Sequence, residues 1–333
     1  MPDSVVQNSL LERARAVAAR GEWGDVRLLL AEWREVPDST PVLLLLLAES
    51  DLRTGFLPEA RTLLQVIVPR IATEPEQTLY RRAINMLGAA AFELGLLDEA
   101  EQQFQLSLAL ATGARDYRTV GHATNNLGMI ANIRGEFDKA LSLYQLAVPA
   151  FQRVGYVVGL GETNHNMALS LRELGALELA DKQERRAIDF AREAGNARLL
   201  AIAHVGRAEL SLRRGEPAVA EAGARLGAEQ YAAIPDAIGE ADALRVAGAA
   251  RLMLGEFGQA AAALDRAVAL AEEHGSALVE AESRGTRARL MAIQLEWDRV
   301  RRDVECAVVL YRRLGADHDR EALERWFGEV LPN

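Results

Sequence analysis

Seven glycines, Gly21, Gly55, Gly95, Gly135, Gly175, Gly215 and Gly255, constrain this chain most: after a shorter first interval they recur at every fortieth position. They open short stretches of one pattern, "GEWGDV", "GFLPEA", "GLLDEA", "GEFDKA", "GALELA", "GEPAVA" and "GEFGQA". An eighth stretch, "LEWDRV", places Leu295 where the next glycine is due. A fixed period of this length marks a linear array of repeated supersecondary units, not a globule around one core.

The pattern continues on both sides of the glycine. Two residues after it stands Trp23, Leu57, Leu97, Phe137, Leu177, Pro217, Phe257 or Trp297. Five after it comes Ala60, Ala100, Ala140, Ala180, Ala220 or Ala260, with Val26 and Val300 in the end copies. Seven before it, from copy two on, stand Ala48, Gly88, Gly128, Ala168, Ala208, Gly248 and Ala288. Small residues on two facing helices let the backbones approach, the large residue fills the seam, and the glycine takes the left-handed turn. Between these anchors the apolar spacing is helical, as in Leu141, Tyr144, Leu146, Val148 and Phe151. Each copy thus predicts a helical hairpin that buries its stripe only against its neighbours. A second series, Gly155, Gly195, Gly275 and Gly315, closes the outer ends half a period past each turn. Pro235 stands in for glycine in copy six, and copy three is expected to close early at Gly113, with "ARDYRTVG" as a longer connection. After copy eight, "DHDREALERWFGEVL" is amphipathic and suits a terminal cap.

The totals narrow the function classes. A net charge of −10 argues against a general nucleic-acid binder, which needs a basic face to release counterions from phosphates. The longest apolar run, Val42 to Ala48, is too short to cross a bilayer, and no basic-then-apolar leader opens the chain, so a soluble cytoplasmic protein is expected. The single cysteine, Cys306 in "VECAVVL", excludes an intrachain disulfide and is expected to be a buried core thiol. Gly159-x-Gly161 has Asn164 where a dinucleotide loop needs its third glycine, and no strand precedes it. No phosphate loop, nucleophile elbow or paired metal-binding histidines occur. The expectation is a protein without catalytic activity, cofactor or metal.

"NNLGMIANIRGEFDKALSLYQLA" resembles a tetratricopeptide repeat, with Leu127, Gly128, Gly135, Phe137, Ala140, Tyr144 and Ala147 at its signature positions in order. The long period is similar to that of LGN-type adaptors, kinesin light chains and the sensory arms of MalT-like bacterial activators. The likeness weakens at Leu295, and at Glu184 and Ala224, which replace an aromatic. It implies an all-α, right-handed superhelical solenoid of about eight hairpins. The repeats would cover about 4–38, 39–75, 76–115, 116–155, 156–195, 196–235, 236–275 and 276–315, with a cap helix at 317–330.

The resemblance also implies that the first helix of each hairpin lines a concave groove. With the turn glycine as position 15, positions 2, 5, 6, 9 and 12 face it. In copies three to five these are Arg82, His122 and Glu162; Asn85, Asn125 and His165; Met86, Asn126 and Asn166; Met129 and Leu169; Asn132 and Arg172. Six of the chain's nine asparagines lie in these three helices, while copy two offers Leu45, Leu46 and Leu52, and copy six Val205, Gly206 and Leu212. Asparagine is a mediocre helix residue, so the concentration calls for a reason. Either the amides hydrogen-bond peptide groups of an extended partner, or they bridge adjacent helices and set their register. The expected function is an adaptor holding a peptide segment of a protein partner in the groove of repeats three to five, with no nucleic-acid or membrane partner. The alternative is a regulatory sensor that binds a small ligand or signalling peptide and controls an effector.

Overall fold

The computed structural model describes residues 4–36, 39–72, 77–234 and 236–331, and among them every regular element is a helix. The first helices are α1 (Ser4–Ala19), α2 (Trp23–Leu30), α3 (Pro41–Arg53), α4 (Leu57–Ile71), α5 (Gln77–Glu93), α6 (Leu97–Ala114) and α7 (Tyr117–Ile133). They are followed by α8 (Phe137–Arg153), α9 (Val157–Glu173), α10 (Leu177–Glu193), α11 (Ala197–Arg213) and α12 (Pro217–Ala233). The last are α13 (Ala237–Met253), α14 (Phe257–Glu273), α15 (Ala277–Ile293), α16 (Trp297–Leu314) and α17 (Asp317–Val330). The chain is therefore all-α and built of repeated hairpins. It divides into two compact units, residues 1–126 and 127–333, with the boundary inside α7.

One turn joins the helices of every hairpin. Gly135 has φ of 76°, the Glu136 amide donates to the Ala131 carbonyl at 2.8 Å, and the Gly135 amide donates to the Asn132 carbonyl at 3.0 Å. This double closure satisfies carbonyls that a helix end leaves orphaned, and it requires a left-handed residue. All seven turn glycines have positive φ, and Leu295 takes the same conformation at 61°.

Inside the hairpins the small residue seven before the turn accommodates a large one from the second helix. A Cβ on Gly88 would lie 2.7 Å from the Phe104 ring, and one on Gly248 would lie 2.6 Å from Leu264 Cγ. Ala140, five after the turn, is fully buried. In unit 1 the core gathers Leu43, Leu47, Leu64, Ile67 and Met86, and Asp51, also fully buried, accepts from Arg27 Nε at 3.0 Å and from Arg34. In unit 2 each seam has its own small cluster, such as Ala131, Ala140 and Tyr144, or Ala201, Val205 and Tyr231. Gly159 and Gly161 lie in the first turns of α9, where added side chains would strike Tyr156 and Leu199, so close packing accounts for both.

Two expectations are corrected. Copy three does not close at Gly113, which is helical within α6. Its closing residue is Arg115, left-handed at φ 56° and half a period past Gly95, with the Asp116 amide donating to the Ala111 carbonyl at 2.9 Å. Seam packing holds the period, and a non-glycine tolerates the left-handed turn at a cost of about 1–2 kcal/mol. "ARDYRTVG" is accordingly no long connection, since α7 begins at Tyr117. Cys306 is exposed, because the buried stripe of α16 runs through Val300, Asp303, Val304, Ala307 and Tyr311 and leaves it on the solvent side. Pro235 lies outside the described residues.

Candidate functional site

The groove positions expected from the sequence fall in both units. In unit 1, Met86 packs into the apolar core, Asn125 is buried, and Arg82 pairs with Glu49 of the preceding hairpin. Asn85 and Asn126 are half-buried, and Asn85 Oδ1 is a buried acceptor without a hydrogen-bond donor among the described residues. His122 is held down to about 4 by burial, aided by Arg118, and is neutral near pH 7. In unit 2, Met129, Asn132, Glu162, His165, Asn166, Leu169 and Arg172 are all half-buried. Here Ser170 Oγ on α9 donates to Asn132 Oδ1 on α7 at 2.7 Å, tying two successive hairpins. Bridging thus applies at Asn132.

Sequence reasoning missed a charge ladder across unit 2. The first helices α9, α11, α13 and α15 touch in succession. Arg172 pairs with Glu209, Glu209 with Arg245, and Arg245 Nε with Glu282 at 3.3 Å. Each step is three or four positions short of the repeat period, so the ladder falls back about one helical turn per hairpin. The alternation of sign at that spacing was the signal available in the sequence. Side branches extend it: Arg172 Nε donates to Glu173 at 3.0 Å, Arg213 to Glu173 at 2.8 Å, and Arg245 to Asp242 at 2.6 Å.

Arg172, Glu209 and Arg245 expose only 16%, 15% and 13% of their side chains, so the ladder lies in a recess, not on an open face. Burial works against the Glu209 carboxylate, yet Arg172 and Arg245 hold it down at about 2. Glu282 moves the other way, to about 8, because burial dominates and Asp242, Glu209 and Asp319 add negative charge that Arg245 offsets only in part. A second buried pair adjoins the ladder. His165 Nδ1 lies 2.9 Å from Glu184 Oε1, and Glu184 occupies the place that Tyr144 fills one copy earlier. Burial raises the Glu184 carboxyl, and its charge lifts His165 against the imidazole's own burial. Gly206 makes the room, since a Cβ there would meet the Glu184 carboxylate.

In the same unit, α8, α9 and α10 leave a cleft of 430 Å³ lined by Gln145, Val148, Asn164, Met167 and Phe190. Among the described residues no three histidine, cysteine or acidic side chains gather to hold a metal, and no described helix is long and apolar enough to cross a membrane.

Residues 119–193, which span α7 to α10, match the tetratricopeptide repeat family model. No curated protein matches the sequence. Among solved structures, a Rap protein complexed with competence and sporulation factor is similar over 99% of this chain and 100% of its own, with 11% identity and a TM-score of 0.66. The apo quorum sensor NprR from B. thuringiensis is similar over 93% of this chain and 89% of its own, at 13% identity and a TM-score of 0.67. A signal-transduction ATPase with a tetratricopeptide repeat sensor, from Pyrococcus horikoshii, matches 97% of this chain and 49% of its own, at 14% identity and a TM-score of 0.59. At such identities the likeness is one of fold. Residues 119–193 are therefore tetratricopeptide repeats, and the same hairpin, with the same left-handed turn, recurs in each unit around them.

Proposed function

We propose that this chain is a non-enzymatic binding protein that holds a peptide segment of a protein partner against the first helices of its hairpins. The observation that carries the reading is Asn85 Oδ1, a buried acceptor with no donor among the described residues. Such a group is costly to leave unmade, and a backbone N–H of an extended ligand would satisfy it once the amide turns out toward the ligand. Asn125 stands at the same register one hairpin on, and it is proposed as a further contact together with Asn126 beside it and with Glu162, Asn166 and Leu169 at the other groove positions of unit 2, whereas His165, at the register of Asn85, is engaged by Glu184. Uncharged amides can pair with peptide groups whatever the side chains, which suits recognition of an extended backbone. Asn132 belongs to the scaffold instead, because Ser170 already uses its oxygen.

The test is selection of a random peptide library on the immobilised chain, followed by titration of the selected peptide against a variant with Asn85, Asn125, Asn126 and Asn166 replaced by alanine. A folded variant that binds at least about tenfold more weakly, the loss of about 1.4 kcal/mol, supports the reading. Undiminished affinity would refute it. A second reading, a sensor, is favoured by the similar structures that are themselves a quorum sensor and a Rap protein with a bound factor. It requires the selected peptide to change the scattering radius of the chain, whereas an adaptor holds its shape.

A further inference from the structure

Unit 2 ends on a helix that returns to where the unit begins. The α17 helix is anchored at its far end on α15 and α16, where Leu323, Trp326 and Phe327 pack with Ala288, Val304 and Tyr311. Its first turn meets the α7–α8 turn instead. A Cβ on Gly135 would lie 2.8 Å from His318 Cβ, and the His318 ring stands edge-on to Phe137, centroids 5.2 Å apart and planes at 88°. Ile133 joins the same terminal cluster. The hairpins of the unit are thereby closed into a ring, and the ladder from Arg172 to Glu282 runs along helices inside it.

The closing contact differs from every seam in the unit. Hairpin seams bury whole stripes, such as Ala260, Leu264 and Leu290, whereas this one rests on an exposed histidine against the rim of a half-buried phenylalanine. Asp319, the next residue, is turned inward within electrostatic reach of Arg172, Glu173 and Arg213, yet among the described residues it forms no ion pair with the two arginines of the kind Glu173 and Glu209 form. A thin contact closing a ring of well-packed hairpins is its weakest joint, and a ring opens at its weakest joint.

We propose that the contact of His318 with Gly135 and Phe137 is a latch: it opens and closes the unit-2 ring and so gates access to the recess that holds the charge ladder. The inference goes beyond the reading of the asparagines and does not depend on it. Closure keeps large molecules from the ladder while small ones pass, and it leaves the hairpins intact in both states. Any ligand that binds only the open ring has its apparent affinity lowered by the fraction of time the latch is closed.

The experiment uses a chain with Cys306→Ser and Leu169→Cys, since Leu169 holds in its hairpin the register that Glu209 holds in the next. Modification of that thiol by a small maleimide and by a polyethylene-glycol maleimide is timed with the latch intact and with His318→Ala or Phe137→Ala. The expected result is that either latch substitution speeds the bulky reagent by up to about tenfold, the factor that loss of an edge-to-face ring pair can give, and leaves the small reagent unchanged. Equal rates of the bulky reagent in all three chains would overturn the proposal and make α17 a plain cap. Acceleration of both reagents alike would overturn it as well, since that reports general loosening, which the circular-dichroism melting curve would register independently.

Discussion

Leu295→Gly is expected to stabilise the last hairpin. Leu295 sits in the turn at φ 61°, where the seven equivalent copies have glycine, and its amide and that of Glu296 donate to Ala292 and Met291 at 3.1 and 3.0 Å. A side chain in this conformation costs about 1–2 kcal/mol through the clash of Cβ with the following carbonyl. Glycine removes that clash and adds unfolded-state entropy worth roughly 0.5–1 kcal/mol in the opposite sense. Leu295 is 71% exposed, so little apolar burial is lost with it. The net gain is about 0.5–1 kcal/mol, which for a unit of this size raises the melting midpoint by roughly 1–4 °C. Because repeats unfold partly independently, amide exchange of α15 and α16 is the sharper assay, and their protection should rise while α9 and α10 stay unchanged. The reciprocal Gly255→Leu should lose a similar amount in α13 and α14. A glycine variant that exchanges faster at α15 and α16 would refute the strain argument and, with it, the assignment of Leu295 to the shared turn.

Ala140→Leu should overpack the seam beside Tyr144 and lower stability by about 1–3 kcal/mol, read as a fall in the urea midpoint of unit 2. The asparagines should separate by partner: Asn132→Ala breaks the bond from Ser170 and should lose about 0.5–1.5 kcal/mol. Asn85→Ala relieves a buried acceptor that lacks a donor and should leave stability unchanged or raise it by up to about 1 kcal/mol, read by thermal denaturation. Glu209, with a folded pKa of about 2 against an ordinary 4.5, contributes stability that is fully present above pH 4.5 and is lost as pH falls toward 2, up to about 3 kcal/mol. Acid titration of a Glu209→Gln chain should therefore be flatter in that window than that of the parent, with fluorescence or circular dichroism as the readout.

The hairpins, their helical faces and their turns were legible in the sequence because the period repeats the same local requirements: a left-handed residue at the turn, a small residue against a large one at the seam. Local sterics determine those requirements, and Leu295 shows the period is strong enough to impose the turn on a leucine. Gly113 misled for the complementary reason: glycine permits a left-handed turn without demanding one, and packing in phase with the neighbours placed it on Arg115. Cys306 was misplaced because one helical position, about 100° of rotation, separates a buried stripe from solvent. The groove residues were named by register alone. Only the tertiary structure decided that Asn132 bonds to Ser170, that Met86 belongs to the core, and that Arg172 is held by Glu209. Partners on different hairpins come together through the twist from one hairpin to the next, as do His318 and Phe137, which stand at opposite ends of unit 2 in the sequence. That twist is the sum of every seam's packing, and no single repeat carries it.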